Sequence, residues 1–288
     1  MTQEWMHPPT PLQYFASLVA EDPIMSWLEA AASIAQDEMP QVDVADVLTQ
    51  IDAMAQRLKR RIPADASALQ RLRFLNRFFF HEMGFQGNAN DYYDPQNSYL
   101  HEVLNSRRGI PITLALIYIE LASQVGLAAR GVNFPGHFLV KLRMPRGEVI
   151  LDPFSGQSLS REDLEERLTP YRRQQGLVGD FEVPLGLFLQ TASAREILAR
   201  LLRNLKEIHR TAEDWTRLLA VQERLVILLP ESWEERRDRG LAHAELGHEE
   251  EAAQDIDAYL AHCEDAQDAK ALRIRLAQWR RAGSWRLH

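Results

Sequence analysis

Apolar residues recur at three- and four-residue steps along most of this chain, the period of an amphipathic helix. Val44, Val47, Leu48, Ile51, Met54, Ala55 and Leu58 form one such stripe. Leu69, Leu72, Leu75, Phe79 and Met83 form a second, and Gly84 behind it suits a helix end. The run Phe78-Phe79-Phe80 reads as core. The pattern therefore predicts helices across 13–84, after an irregular, Pro-rich start over 1–12. Residues 85–100 carry Gly, Asn, Asp and Pro throughout and read as a long loop.

The period changes in the middle of the chain. Residues 110–125 are apolar on most sides and predict a buried helix, with Pro111 at its first position and Gly126 at its end. Strand patterns follow at 130–134, 137–142 and 148–154. Arg143-Met144-Pro145-Arg146, with Gly147 behind it, suits a four-residue hairpin turn. Pairing Leu142 with Gly147 sets His137 directly opposite Asp152, both on one face, whereas a slip of one residue would separate them.

Residues 155–185 read as a connection with a short helix near 161–168, then Pro170, Gly176, Gly179 and Pro184. Everything beyond is helical. Residues 233–264 resemble a tetratricopeptide unit: Gly240, Ala252 and Ile256 stand where two helices must approach closely, and Gly247 serves the turn. A poorer copy over 199–230 has Leu202, Leu205, Leu218 and Pro230, and a helix over 266–281 could cap the stack. So short an array buries too little by itself, so it is expected to lean on the core.

Composition narrows the function. The chain has 288 residues, 45% hydrophobic and 26% charged, as in globular proteins that bury real cores. A net charge of −8 argues against sequence-independent nucleic-acid binding, and the arginines of 57–61, 71–77 and 195–203 read as solvated helix faces. No stretch approaches the ~20 apolar residues that span a bilayer. The N-terminal MTQEWMHPPTPLQYF lacks the regions of a signal peptide, and Cys263 stands alone, without a disulfide partner or a cysteine-rich zinc site. The expectation is a cytoplasmic protein without metal, cofactor, nucleic-acid or membrane partner.

Candidate chemistry centres on His137 and Asp152. A carboxylate can orient an imidazole that acts as a general base. The plainer reading of a His-Asp pair across a hairpin is a structural hydrogen bond. Thr113 is the sole hydroxyl near the start of the buried helix, where threonine ordinarily caps or faces solvent. His101 and Glu102 lack the two-histidine helical signature of zinc proteases, and with His137 and Asp152 would make at best an improvised metal site. Asn97, Tyr99, Asn105 and Gly136 could line the rim of a groove beside His137, or could brace loops. Arg107 and Arg108 could hold an acidic ligand group, or could pair with nearby carboxylates.

The run Asn97-Ser98-Tyr99-Leu100, the stretches RRGIPITLALIY, GVNFPGHFLV and LDPF, and ILARLLRNL and RDRGLAHAELG further on, together resemble the SirB-type transglutaminase-like proteins of bacteria. The similarity spans roughly 40–262. It implies an α+β papain- or transglutaminase-like core over 41–185, a helical N-terminal segment over 1–40, and an all-α tetratricopeptide-like region over 186–288. In active relatives of that fold the helix start carries a cysteine and the two strands carry the histidine and aspartate. By position His137 and Asp152 match, and Pro111 stands where the nucleophile belongs, which puts thiol chemistry out of reach. The resemblance implies a non-catalytic protein that binds a protein or peptide partner, with a regulatory role. The alternative is a hydrolase of altered chemistry that uses His137 as general base and Asp152 to orient it.

Overall fold

Helix starts are well marked in the computed structural model, which describes residues 8–22, 25–177, 179 and 183–285. Thr10 opens α1 (Pro11–Leu18): its hydroxyl accepts the Gln13 N–H while the Gln13 side chain accepts the Thr10 N–H. After α2 (Trp27–Ser33) and a tight turn of helix at Ile34–Asp37, Asp43 caps α3 (Val44–Lys59). This helix buries Val44, Val47, Ile51, Met54, Ala55 and Leu58, the predicted stripe, with Leu48 half-buried. The second stripe does not run true. α4 (Ala68–Asn76) widens into a π-helical segment, Arg77–Glu82, whose longer turn breaks the 3.6-residue phase. Phe78 and Phe79 are buried, Phe80 and Met83 only half so, and Leu69 in the first turn of α4 is 49% exposed.

The predicted long loop contains a short strand, β1 (Gln86–Gly87), which pairs in parallel with β2 (Arg108–Gly109) beyond α5 (Leu100–Ser106). α6 (Pro111–Gln124) follows, with Pro111 at its first position and an apolar surface buried almost all round. The main sheet is antiparallel in the order β3 (Ala128–Val132), β4 (Leu139–Met144), β5 (Gly147–Asp152), β6 (Gln157–Leu159).

The hairpin register differs from the predicted one. Met144, not Leu142, pairs with Gly147, so the turn is the two residues Pro145 and Arg146. The slip is two residues, and because side chains alternate with period two, it leaves every strand residue on its predicted face. Val140, Leu142 and Leu151 face α6 in the main core. Leu139 and Ile150 face the other way, into a smaller cluster with Leu164, Leu168 and Leu185 from α7 (Arg161–Gln174) and α8 (Leu185–Phe188). α7 runs past the predicted end at 168, carrying Pro170 within it.

The rest is helical: α9 (Ala194–Thr211), α10 (Trp215–Leu228), α11 (Trp233–Glu245), α12 (Glu249–His262) and α13 (Ala269–Trp285). α9 and α10 belong to the main core, which runs without a break from Phe15 to Leu228, while α12 and α13 share a separate cluster. The repeats therefore lean on the core, as their small number requires. Arginines add to the seam: Arg195 reaches Asp22 at 2.6 Å and the Val19 carbonyl at 2.9 Å, and Arg224 reaches Asp37.

Gly240 is where α11 meets α12. A Cβ there would lie 2.9 Å from the Asp255 Cβ and 3.2 Å from the Ala252 carbonyl oxygen, both fixed to α12. Gly240→Ala gains helix propensity of about 1 kcal/mol, yet overpacking of this kind costs about 1–3 kcal/mol. We expect a net loss, read as a lower urea midpoint. Gly186→Ala, inside α8 where a Cβ meets nothing within 4 Å, has no clash to offset the propensity gain and should leave the midpoint in place or raise it.

Candidate functional site

His137 sits in a turn just before β4. Its N–H donates to the Phe134 carbonyl at 2.9 Å, and Gly136 takes the left-handed φ of 70° that the turn requires. Phe134 is buried in the smaller cluster and anchors the turn. Asp152 ends β5 with its side chain nearly sealed from solvent. The His137 Nε2 lies 2.8 Å from Asp152 Oδ1, which also accepts the Phe154 N–H at 2.9 Å, while Oδ2 accepts from Arg167 Nη1 at 3.1 Å. Burial opposes ionisation of Asp152. The hydrogen bond and charge of His137, the Phe154 N–H and Arg167 outweigh it and hold the carboxyl far below the usual carboxylate range. An ionised carboxylate only accepts, so Nε2 carries the proton and Nδ1 is the nitrogen that a neutral ring could offer as a base.

Aromatic rings flank one side of this pair. The Phe154 ring stands edge-on to His137 at 6.4 Å between centroids, and Tyr92 tilts against Phe154 at 6.0 Å. Gly87 lies so close beneath Phe154 that a Cβ would meet the ring at 2.3 Å, and its N–H donates to the Phe154 carbonyl at 2.9 Å. Asn88 in turn donates to the Gly109 carbonyl at 3.0 Å, so the start of α6 is tied to the His-Asp pair through β1 and Phe154. Pro111 stands there and offers no nucleophilic atom. Thr113 is fully buried, donates to the Asn97 carbonyl at 2.8 Å, and lies 3.1 Å from the Ile110 carbonyl. Its hydroxyl braces the helix entrance from inside and does not face solvent.

The remaining predicted rim residues are held by partners of their own. Asn97 is buried, with its amide nitrogen on the Asp91 carbonyl at 2.6 Å and its oxygen accepting from Asn88 at 3.0 Å. Tyr99 donates to Glu38 and lines a small cavity of about 80 Å³ against α9 and α10, beside Asp37, His209 and Arg217. It does not belong to the rim of His137, because its hydroxyl pairs with a carboxylate of the N-terminal helical region. Burial and the Glu38 carboxylate raise the Tyr99 hydroxyl's pKa far above the ordinary phenol range. Arg107 lies over the Phe85 ring at 4.8 Å, and Arg108 donates to the Gly84 carbonyl at 3.1 Å. His101 and Glu102 face each other at 3.2 Å, and Asn105 is exposed. Sequence reasoning missed Arg167, Phe154 and Tyr92. Only the string LDPF marked any of them.

A larger concavity lies in the helical tail. A groove of about 470 Å³ opens among α9, α10, α11 and α13, with Trp215, Leu218 and Leu241 as apolar lining. Its cations are all paired. Lys206 binds Glu235 at 2.7 Å and Asp238 at 2.5 Å, Arg210 binds Glu207 at 2.7 Å, Arg237 binds Asp268 at 2.9 Å, and Arg275 meets Glu245 at 3.4 Å. No helix among the described residues is long and apolar enough to cross a membrane.

Comparison with known proteins agrees with this geometry. Residues 45–203 match a family described as the transglutaminase-like superfamily, and residues 205–277 match a tetratricopeptide repeat family. A "UPF0162 protein" of Xylella fastidiosa is 37% identical over 241 residues, 83% of this chain and 85% of the relative. One of Pseudomonas aeruginosa is 31% identical over 278 residues, 96% of this chain and 99% of the relative. One of Escherichia coli, YchA, is 25% identical over 259 residues, 88% of this chain and 91% of the relative. No solved structure matches the chain at a significant level.

Proposed function

For this chain, which belongs to the transglutaminase-like superfamily and carries tetratricopeptide repeats behind that core, we propose a non-catalytic role in binding a protein partner. The observation that carries the reading is the division of features. The place of the nucleophile holds Pro111, whereas the 470 Å³ groove with its apolar floor lies in the repeats. Tetratricopeptide surfaces commonly take peptide segments, so the repeats suit a protein partner. The finer reading is a SirB-type pseudoenzyme of the cytoplasm, regulatory in role, with segments at 1–40, 41–185 and 186–288.

Cutting the chain near residue 190 would remove α9 and α10 from the main core, so the test uses substitutions in the intact chain. Affinity capture from a native lysate should recover a partner with the parent chain and with His137→Ala, and lose it with Leu241→Glu in the groove. Loss with His137→Ala alone would move the binding site to the His-Asp pair.

One observation favours a second reading, a hydrolase. Asp152 is ionised and fixes the proton of His137 on Nε2, the arrangement a general base needs. On that reading a panel of amides and esters is turned over by the parent chain and not by His137→Ala. Equal rates in both would end it.

A further inference from the structure

We infer that Arg107, Arg57 and Arg61 form a binding site for a phosphomonoester dianion, where the end of α5 meets the C-terminal half of α3. None of these residues lines the repeat groove or touches His137, so the inference goes beyond the role proposed above and does not rest on it.

Arg107 closes α5 with φ at 62°, the left-handed conformation that side chains disfavour and that glycine ordinarily supplies at a helix end. A residue held there against preference calls for a reason. Its N–H donates to the Val103 carbonyl at 3.0 Å, which glycine would do equally well, so the reason lies in the side chain. The guanidinium is half-buried over the Phe85 ring, and the sole acceptor it meets among the described residues is Met54 Sδ at 3.9 Å. A thioether accepts weakly, so the donors of Arg107 are left without an oxygen. Arg108 differs: its Nη1 donates to the Gly84 and Arg107 carbonyls at 3.1 and 3.2 Å.

Met54 fixes where this charge stands. Arg57 lies one turn beyond Met54 on α3, and Arg61 one turn beyond that, so the three arginines share one face. Arg57 and Arg61 both lean on the Phe78 ring, at 5.9 and 5.4 Å from its centroid, as Arg107 leans on Phe85. Burial and the charge of Arg57 push the Arg107 guanidinium below its ordinary pKa, the mark of cations held near each other. Among the described residues Glu82 is the only carboxylate that pairs with any of the three, and Arg61 shares it with Arg77. Arg57 and Arg107 have no counter-ion there.

Guanidinium forks match the oxygens of carboxylates and phosphates, and charge separates the two. Three arginines against Glu82 leave an excess of two positive charges, in a chain whose net charge is −8. A carboxylate would neutralise one of them, whereas a phosphomonoester carries about −1.5 to −2. A phosphodiester of nucleic acid carries a single charge and brings neighbours that the acidic remainder of the chain repels. Stacking on Phe78 and Phe85 restrains the forks beforehand, so less side-chain freedom is lost on binding.

The test is calorimetric titration of the intact chain near neutral pH in ~0.1 M chloride. The probes are inorganic phosphate, acetate, and a phosphoserine pentapeptide with its unphosphorylated form. We expect inorganic phosphate to bind with a Kd of about 1 mM or tighter, and acetate at least ~10-fold more weakly. Arg107→Asn keeps a residue that tolerates the left-handed backbone, and should weaken phosphate ~10-fold or more. Arg57→Gln alters an exposed position that leaves the fold in place, and should weaken it about threefold to tenfold. Arg77→Gln removes the same charge from a neighbour outside the site, and should stay within about twofold of the parent. Equal losses in Arg57→Gln and Arg77→Gln would show a diffuse field and overturn the inference. So would phosphate that binds no tighter than acetate, or an affinity unmoved by both Arg107→Asn and Arg57→Gln. A phosphopeptide that outbinds inorganic phosphate, and loses this without its phosphoryl group, assigns the dianion to a phosphorylated protein. Inorganic phosphate outbinding the phosphopeptide assigns it to a free phosphate. Leu241→Glu bears on the groove alone, so the two readings fail separately.

Discussion

Replacing Arg224 by alanine is expected to lower stability by about 3–5 kcal/mol, the effect of breaking a buried ion pair from one side. Arg224 is fully buried on α10. Its Nε and Nη2 hold the two oxygens of Asp37 at 2.6 and 2.7 Å, and Nη2 also reaches the Ser33 carbonyl at 3.2 Å. The guanidinium lies over the Phe15 ring at 4.8 Å, so one side chain ties three N-terminal elements to the repeats. Alanine leaves the Asp37 carboxylate without its counter-ion and opens a cavity the size of the arginine stem. The double substitution Arg224→Met with Asp37→Leu should recover most of the loss, because it removes both charges and fills the space. Urea denaturation of the parent, Arg224→Met, Asp37→Leu and the double variant gives the coupling directly. A single substitution that costs less than about 1 kcal/mol would place Arg224 among ordinary surface pairs.

Arg224 also shows what the sequence leaves hidden. Gln222-Glu223-Arg224 interrupts an apolar run, LLAVQERLVILL, and that interruption is a visible signal of something buried and polar. Its partner, Asp37, lies 187 positions away, and no local period connects the two. The same limit explains Arg167, which reaches Asp152 from a helix the pattern treats as part of a connection. The features that were legible are those set by short-range spacing: the α3 stripe, the burial of α6, and the close approach at Gly240. The His-Asp pair was legible for a subtler reason. The turn length was misjudged by two residues, and the pair survived because β-strand faces repeat with that period. His137 then reaches Asp152 diagonally from the turn before β4, where a direct cross-strand pairing had been expected. Tyr99 had no such protection. A residue before a helix can face either side of it, and the carboxylate of Glu38, distant in sequence, decided which.

Asp152→Asn is expected to cost about 2 kcal/mol at neutral pH, and the cost should disappear in acid. His137 Nε2, the Phe154 N–H and Arg167 Nη1 converge on the two carboxylate oxygens. Asparagine has one acceptor oxygen, so its amino group must face a donor, and the arginine loses its counter-ion. The sign of the pH dependence follows from the direction of the Asp152 shift. Its folded pKa lies below the unfolded value of about 3.9, so the carboxylate's contribution is fully present above that value. It is lost as pH falls from there through the folded value. The parent chain should therefore lose stability below about pH 4 more steeply than the variant, and the two urea midpoints should converge. A gap that stays constant down to acid would mean that the asparagine acts by misfit and not by lost charge. The same variant bears on function. If Asp152→Asn keeps its partner while losing stability, the pair that an active enzyme of this fold would use for catalysis here holds together the β4–β5 hairpin, Phe154 and α7.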